Sequence, residues 1–163
     1  MVQYRAITKT LRAEELAALY NKNVDEITYN ALVSMAEVIA QTSPVDTGTY
    51  ARNHEVALRS GSFQPDVVID PNAPRNVPKG PPREYGLARM IEDIQSFGLL
   101  DEASGTVGGL ADPGQKNYVF RNRTTHAKYV EQRDVDGKVY SQARREVNNI
   151  INDALAKSGA KIR

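Results

Sequence analysis

The chain has 163 residues, 40% of them hydrophobic and 25% charged, which is the composition of one ordinary globular domain. It contains no cysteine, so disulfides, thiol nucleophiles and cysteine-based zinc sites are excluded. The net charge of +1, from 21 basic and 20 acidic residues, argues against a dedicated nucleic-acid-binding protein, because such proteins normally carry a strong basic excess.

A long helix is predicted over residues 11–42. Apolar residues recur there at three- and four-residue steps and form one stripe, made of Leu16, Tyr20, Val24, Ile27, Ala31, Met35 and Val38. Asn23 and Glu26 have the spacing of a helix cap, which favours a break or kink near Asn23. The helix is expected to end at Ser43, because a residue before proline is disfavoured in the α conformation.

Three β segments are predicted after this helix. Residues 49–60 alternate in polarity, with His54, Val56 and Leu58 on one face, which is expected to point inward. Residues 67–69 are a β-branched run, so the two segments are expected to pair as an antiparallel hairpin. A third strand is predicted at 118–120, which completes a small antiparallel sheet.

A long insertion, residues 71–115, is predicted between the second and third strands. Five prolines within 71–82 indicate an irregular arm, and glycines loosen residues 103–115. The short amphipathic helix between them, ending near Gly98, has an apolar face that we expect to contact another subunit or protein. The candidate interface residues are Leu87, Met90, Ile91, Ile94, Phe97 and Tyr129. The alternative is that this helix folds back on its own domain.

Two helices are predicted near the end of the chain. Thr125 is a candidate N-cap for a short helix through Arg133, and an apolar stripe from Val139 to Ala154 predicts a final helix. The order of elements predicts an α+β fold, in which a small antiparallel sheet packs against the long N-terminal helix and the C-terminal helix.

Catalytic patterns are weak in this sequence. We interpret His54 and His126 as one packed and one surface histidine rather than metal ligands. Ser43 has no histidine nearby in sequence, so it does not have the pattern of a nucleophile. A small metal-dependent hydrolase or nuclease that uses Asp66, Asp70 and His126 is kept as an alternative function. The favoured expectation is a protein that is not an enzyme and binds no cofactor.

Basic residues gather on and after the last helix. Arg144, Arg145, Lys161 and Arg163 are candidate contacts to DNA in a channel, and a cytosolic nucleic-acid-binding module is a further alternative function. The near-zero net charge favours instead a solvated helix face with a basic C-terminal end, where cations offset the helix dipole.

The turn that follows the first helix has the sequence Ser43-Pro44-Val45-Asp46-Thr47-Gly48. Asp46 and Thr47 are expected to bond the nearby main chain, and Gly48 is expected to adopt a positive φ. Pro44 directs the chain out of the helix. Pro44, Asp46, Thr47 and Gly48 are therefore the predicted structural turn.

Two segments roughly eighty residues apart resemble the minor tail and tail-completion proteins of tailed bacteriophages. The first is the turn at 43–48 followed by Arg52. The second is Phe120-Arg121-Asn122, then His126-Ala127-Lys128-Tyr129-Val130-Glu131, then a final helix. Ala51, Gln132 and residues 134–137 depart from the pattern of that family.

This resemblance implies a structural virion protein, made in the host cytoplasm, that forms a ring at the neck or the head-proximal end of the tail and joins head to tail. The expected partners are copies of the chain, other neck, connector and tail proteins, and DNA that passes through the channel. Contact with a membrane is not expected, because no run approaches the roughly 18 apolar residues of a membrane span.

Overall fold

The computed structural model of the chain describes residues 13–58, 63–100, 118–132 and 139–157. The elements in these ranges are α1 (Ala13–Thr42), α2 (Thr49–Arg52), β1 (His54–Leu58), α3 (Gly80–Ser96), β2 (Tyr118–Asn122), α4 (Ala127–Glu131) and α5 (Val139–Lys157). The predicted α+β fold is confirmed, because a small antiparallel sheet packs against helices. Within the described ranges, no helix combines the length and apolarity that crossing a bilayer requires.

Helix α1 is the element on which α3 and α5 both pack. Its backbone stays helical through Asn23, so the predicted break there is wrong. The cap-like spacing is overridden because helical hydrogen bonding and the apolar stripe continue past it. The buried face of α1 includes Leu32, Ala36 and Ile39, and the helix ends before Pro44 as predicted.

The sheet pairs β1 with β2 in antiparallel register, from His54 opposite Asn122 to Leu58 opposite Tyr118. The third predicted strand is therefore confirmed and extends to Asn122. The predicted hairpin is wrong, since Val67 makes only an isolated parallel bridge to Thr124. β1 is thus paired with a strand some sixty residues further along the chain. This pairing is an exception to the tendency of sequential strands to pair.

Residues 49–52 form the short helix α2 instead of the start of the predicted strand. The left-handed backbone of Gly48 restarts a helical turn, in which the amide of Arg52 donates to the Gly48 carbonyl at 3.1 Å. The strand then begins at His54. His54 and Val56 are both buried as the alternation predicted, whereas Leu58, predicted on the same face, is 42% exposed at the end of the strand.

Helix α3 begins at Gly80, within the segment predicted to be an irregular arm. Pro81 and Pro82 lie in its first turn, where the missing amide hydrogen sacrifices no helical bond. The helix ends before Gly98, whose φ of 66° matches the predicted stop. Pro81 and Pro82 thus belong to the start of a helix, whereas residues 71–79, which contain the other three prolines, are irregular as predicted.

The apolar face of α3 packs on its own domain. Met90 and Ile94 are 0% exposed and belong to the core, so the prediction that they face another subunit is wrong. Leu87 and Phe97 are partly buried against the same core. The physical reason is that α1 and β1 leave an apolar surface of their own that α3 covers.

The segment before α3 also lies on its own domain at two points. The amide of Val77 donates to the Asp46 carbonyl at 3.1 Å, and the amides of Asp66 and Val67 both donate to the Arg123 carbonyl. The chain is therefore held at Val67, just before the predicted arm, and at Val77 within it. The predicted loop at 103–115 lies outside the described residues.

Helices α4 and α5 follow β2. The residue before α4 is His126, which makes no side-chain capping bond, so the predicted cap at Thr125 is wrong. Arg133 lies outside the described residues. Helix α5 runs from Val139 as predicted and buries Ala143 and Ala154.

Candidate functional site

The turn after α1 has the predicted backbone geometry. Gly48 has a φ of 79°, which side chains other than glycine resist. The hydroxyl oxygen of Thr47 accepts from the amide of Thr49 at 3.4 Å, as predicted for Thr47. For Asp46, the bond shown is to its main-chain carbonyl, from the amide of Val77. A Cβ at Gly48 would lie 3.1 Å from Cγ of Pro82, so the turn is also pressed against the start of α3.

A buried polar cluster lies next to this turn. Ser43 at the end of α1 and His54 at the start of β1 are both 0% exposed, and Ser43 Oγ lies 2.7 Å from His54 Nε2. The other ring nitrogen, His54 Nδ1, lies 2.8 Å from the hydroxyl of Tyr140 and 3.2 Å from Nδ2 of Asn122. The cluster therefore connects α1, β1, β2 and α5.

The hydrogen-bonding capacity of each group fixes the direction of the bonds in this cluster. The single hydroxyl proton of Ser43 is donated to the Ile39 carbonyl at 2.6 Å. The bond between Ser43 and His54 must then be donated by Nε2–H of the imidazole. Nδ1 is left as the acceptor and receives bonds from Tyr140 and Asn122.

The amide of Asn122 extends the cluster to α2 and to the residues after β2. Its Nδ2 donates to the Tyr50 carbonyl at 2.8 Å, and its Oδ1 accepts from the backbone amide of Thr124 at 2.9 Å. The hydroxyl of Thr124 also donates to Oδ1. Asn122 is only 4% exposed and Thr124 0%, so these bonds satisfy polar groups that water does not reach.

The environment keeps His54 neutral. Burial lowers the pKa of His54 from 6.5 to about 3, because a charged imidazole would lose its hydration. A second proton would also remove the acceptor at Nδ1, where Tyr140 and Asn122 both donate. The imidazole is thus a fixed neutral link in the structure at physiological pH.

The hydrogen bond between Ser43 and His54 runs in the opposite direction from that of a catalytic dyad. In a serine nucleophile the hydroxyl gives its proton to the imidazole, whereas here the imidazole donates to the hydroxyl. Neither side chain is exposed to a substrate. The arrangement stabilises the junction of helix, turn and strand, and the expectation that Ser43 is not a nucleophile agrees with this geometry.

The residues of the metal-dependent alternative do not assemble. Asp66 is ion-paired with Arg123, and this contact lowers the pKa of the Asp66 carboxyl. Asp70 Oδ1 accepts from the backbone amide of Asn72 at 2.8 Å within a turn. Among the described residues, no group of three histidines and carboxylates could hold a metal ion.

An ion-pair cluster lies on the face of the sheet that carries Glu55. This carboxylate pairs with Arg121, which stands opposite it in the register, and Arg89 and Arg123 lie at 4.0 Å. The guanidinium of Arg121 also lies over the ring of Phe63 at 4.2 Å from its centre. These contacts join α3, both strands and the segment after β1.

The remaining predicted site residues lie on the surface or outside the described ranges. Tyr129 is 59% exposed, and Ile91 is half-buried. Arg144 and Arg145 are exposed on α5. Lys161 and Arg163, the other two predicted DNA contacts, lie outside the described residues.

Four important residues were not predicted as site residues from the sequence. Asn122, Thr124 and Tyr140 belong to the buried cluster, and Arg83 donates to the Ser43 carbonyl at 2.9 Å. The bonds of Tyr140 to His54 and of Arg83 to Ser43, and that of Asn122 to Tyr50, join segments that are far apart in sequence and that no local pattern relates. A signal did exist for Asn122, since it is part of the second segment that carries the resemblance.

Comparisons with known proteins found no matching family model, no matching curated protein and no matching solved structure.

Proposed function

We propose that this chain is a structural protein of a tailed-phage virion, which forms a ring at the neck or the head-proximal end of the tail and joins head to tail. Its action is assembly through contacts between subunits and with neighbouring neck, connector and tail proteins. This proposal rests on the resemblance of the segments at 43–52 and 120–131, together with the way the structure positions those segments.

One observation carries the proposal. The two segments, far apart in sequence, meet in space as one unit. His54, just after the first segment, stands opposite Asn122 of the second in the sheet, and Asn122 donates to the Tyr50 carbonyl at 2.8 Å. The rings of Tyr50 and His126 are 6.0 Å apart. Both motifs resemble one family, and they pack against each other. A shared structural origin explains this arrangement better than it would explain two motifs on unrelated surfaces.

The bonding within this unit favours an assembly role. Ser43, His54 and Asn122 use their polar atoms on one another and on the main chain. A rigid junction of this kind fixes the angle between α1 and the sheet. A subunit of a ring needs such rigidity, because a closed ring forms only when the rotation between neighbouring copies is constant.

The direct test uses phage particles from cells that carry the gene. Gold-labelled antibody against the chain should mark the junction of head and tail in electron micrographs. Deletion of the gene should leave filled heads and free tails that are not joined, and a plasmid copy of the wild-type gene should restore joined particles. Particles that remain joined and infectious without the chain would overturn the proposal.

A further inference from the structure

One edge of the two-stranded sheet is covered and the other is open. The backbone amide of Val56 points away from β2, and Oδ2 of Asp93 in α3 accepts from it at 2.9 Å. Phe120 stands opposite Val56 in the antiparallel register, so the amide and carbonyl of Phe120 point away from β1. The same holds for Tyr118, two residues earlier. No group among the described residues bonds the main chain of Tyr118 or Phe120 on that side.

A second open edge lies at the β-branched run of residues 67–69. The amide and the carbonyl of Val67 are both used on the chain after β2, where they bond Arg123 and Thr125. Successive residues of an extended chain point their main-chain groups to opposite sides, so those of Val68 face away. Within the described ranges nothing bonds them, and Val68 is 73% exposed. The composition of the run favours a strand, yet the run makes only one isolated bridge within the chain.

The two open edges lie on opposite sides of β2. Arg123 donates its amide to the Asn53 carbonyl, next to the start of β1, and its carbonyl accepts from the amide of Val67. Val67 thus lies on the side of β2 that faces β1, and the open groups of Val68 point further out on that side. The open groups of Phe120 point the other way. Unpaired main-chain groups at a sheet edge are a template for pairing with another chain.

We propose that the edge at Val68 of one copy of this chain pairs with the edge of β2 at Tyr118 and Phe120 of the next copy. The contact rests on the proposed function, because it supplies the surfaces through which the ring closes. A second copy is the occupant because each edge supplies what the other lacks. One edge is a strand-forming run without a partner strand, and the other is a strand with an open side.

The position of the two edges suits a head-to-tail contact. Because they differ and lie on opposite sides of the sheet, the contact is heterologous and repeats from copy to copy until the rotation closes a ring. Pro65 and Pro71 flank the run, and proline has no amide to donate, so the ladder is confined to residues 66–70. A ladder this short makes one contact weak, whereas a closed ring gives every copy two contacts at once.

Proline substitutions test the contact. Val68→Pro removes the open amide of the run and leaves the bonds of Val67 in place, because proline is tolerated at an edge where the amide faces solvent. Tyr118→Pro removes an open amide at the first residue of β2, where proline is also tolerated. We expect the wild-type chain to associate in sedimentation velocity, and each variant to associate at least about tenfold more weakly.

An equimolar mixture of the two variants distinguishes a heterologous contact from a symmetric one. The Tyr118→Pro variant keeps the edge at Val68, and the Val68→Pro variant keeps the edge of β2. The mixture should therefore form dimers that grow no further, while each variant alone stays monomeric at the same concentration. A mixture that stays monomeric overturns the proposed contact, as does a wild-type chain that stays monomeric at high concentration.

Two matched controls keep the amide and change only the side chain. Val68→Thr should associate like wild type. Tyr118→Ala loses the ring contact with Phe97, as Tyr118→Pro does, but should also associate like wild type. If Val68→Thr dissociates as far as Val68→Pro, the contact runs through the side chain and the strand pairing is wrong. Equal loss of association in Tyr118→Ala and Tyr118→Pro rejects the edge of β2 in the same way.

Hydrogen exchange gives a direct measurement on the wild-type chain. The amide of Val68 should exchange more slowly as the protein concentration rises, because it becomes bonded to the next copy. The amide of Val67, which is bonded within the chain, should show no such dependence. An exchange rate at Val68 that stays constant while the chain associates places the contact elsewhere.

These outcomes are separate from the test of the proposed function. A chain that labels the junction of head and tail, but whose association ignores both proline variants, retains its proposed place in the virion and rejects these two edges. A chain that associates through the two edges but is absent from particles retains the contact and rejects the virion role.

Discussion

His54 donates a hydrogen bond to Ser43 across 2.7 Å, from Nε2 of a neutral imidazole to a hydroxyl whose own proton points to the Ile39 carbonyl. This relationship fixes the end of α1 against the start of β1 through a turn that contains Pro44 and Gly48. Because Nδ1 of the same ring accepts from Tyr140 of α5, a single side chain links three elements of the fold.

We expect loss of the imidazole to destabilise the fold. His54→Leu removes the partner of Ser43, Tyr140 and Asn122, and a buried polar group left without a partner costs about 1–3 kcal/mol. The free energy of unfolding, measured by urea titration, should fall by about 2–3 kcal/mol or more. Tyr140→Phe should cost about 1 kcal/mol, because Asn122 remains as a donor to Nδ1. Tyr129→Phe, at an exposed position, is the control and should change nothing. A His54→Leu variant as stable as wild type would show that the buried polar cluster does not contribute to the stability of the fold.

The same histidine should make stability depend on pH. The folded-state pKa of about 3 lies below the ordinary 6.5, so between these values the unfolded chain binds a proton that the folded chain does not. The contribution of the neutral His54 to the free energy of unfolding is complete above pH 6.5 and falls as the pH drops toward 3. At a pH about two units below 6.5, the free energy of unfolding should be lower by about 2–3 kcal/mol.

His54→Gln isolates this effect, since glutamine does not titrate. The difference in unfolding free energy between wild type and His54→Gln should shrink steadily as the pH falls from 6.5. Asp93 acts in the opposite direction, because burial raises its pKa and its protonation favours the folded state at low pH. A difference between the two proteins that stays constant from pH 7 to pH 4 would contradict the prediction.

Local sequence patterns predicted the parts of this fold that depend on near neighbours. The stripe of α1 placed Met35 and Val38 against the core, where both are partly buried, although the fully buried residues of the helix are Leu32, Ala36 and Ile39. The alternation after the turn placed His54 inward, and the composition of the turn predicted the positive φ of Gly48. These features follow from periods of 3.6 and 2 residues and from the conformational freedom of glycine. Such signals are contained within a few adjacent positions.

Two of the wrong predictions concern contacts between distant positions. The bond from His54 to Tyr140 spans 86 residues, and the pairing of β1 with β2 skips the nearer β-branched run at 67–69. No local pattern encodes which of two strands will pair, because the choice depends on what else covers each edge. The prolines of α3 were ambiguous for another reason, since proline marks both loops and first turns of helices.

Gly86 is expected to be irreplaceable because of a close approach between helices. A Cβ there would lie 1.9 Å from the carbonyl oxygen of Ala51 in α2, which is far inside contact distance. Gly86→Ala should lower the free energy of unfolding by about 3 kcal/mol through overpacking, although alanine favours helix. Gly80→Ala in the same helix is the matched control. Its Cβ would meet only the flexible end of Glu84 at 3.4 Å, so thermal unfolding should be unchanged. Equal melting temperatures for the two variants would disprove the close packing of α2 on α3.

The turn glycine should also resist substitution, for a different reason. Gly48→Val places a β-branched residue at a φ of 79°, and its side chain meets Pro82. The left-handed conformation costs a residue with a Cβ about 1–2 kcal/mol, and the contact with the ring adds to this. We expect a lower melting temperature and a loss of near-ultraviolet signal from Tyr50. A fully stable Gly48→Val variant would show that the turn is ordinary and would remove one support of the resemblance.

The two faces of α3 provide a last test, which separates a core helix from a projecting arm. Met90 is 0% exposed, on the face of α3 that packs on α1 and β1, whereas Ala88 is exposed on the opposite face. Met90→Asp should therefore unfold the chain, because an unpaired carboxylate cannot be buried there without a large cost. Ala88→Asp should fold with a normal far-ultraviolet spectrum. Deletion of residues 74–112, bridged by a short Gly-Ser linker, should likewise give an unfolded chain, since it removes Met90 and Ile94 from the core. A deletion variant that unfolds cooperatively, together with a stable Met90→Asp, would mean that α3 stands away from the domain and that its apolar face is available to a partner after all.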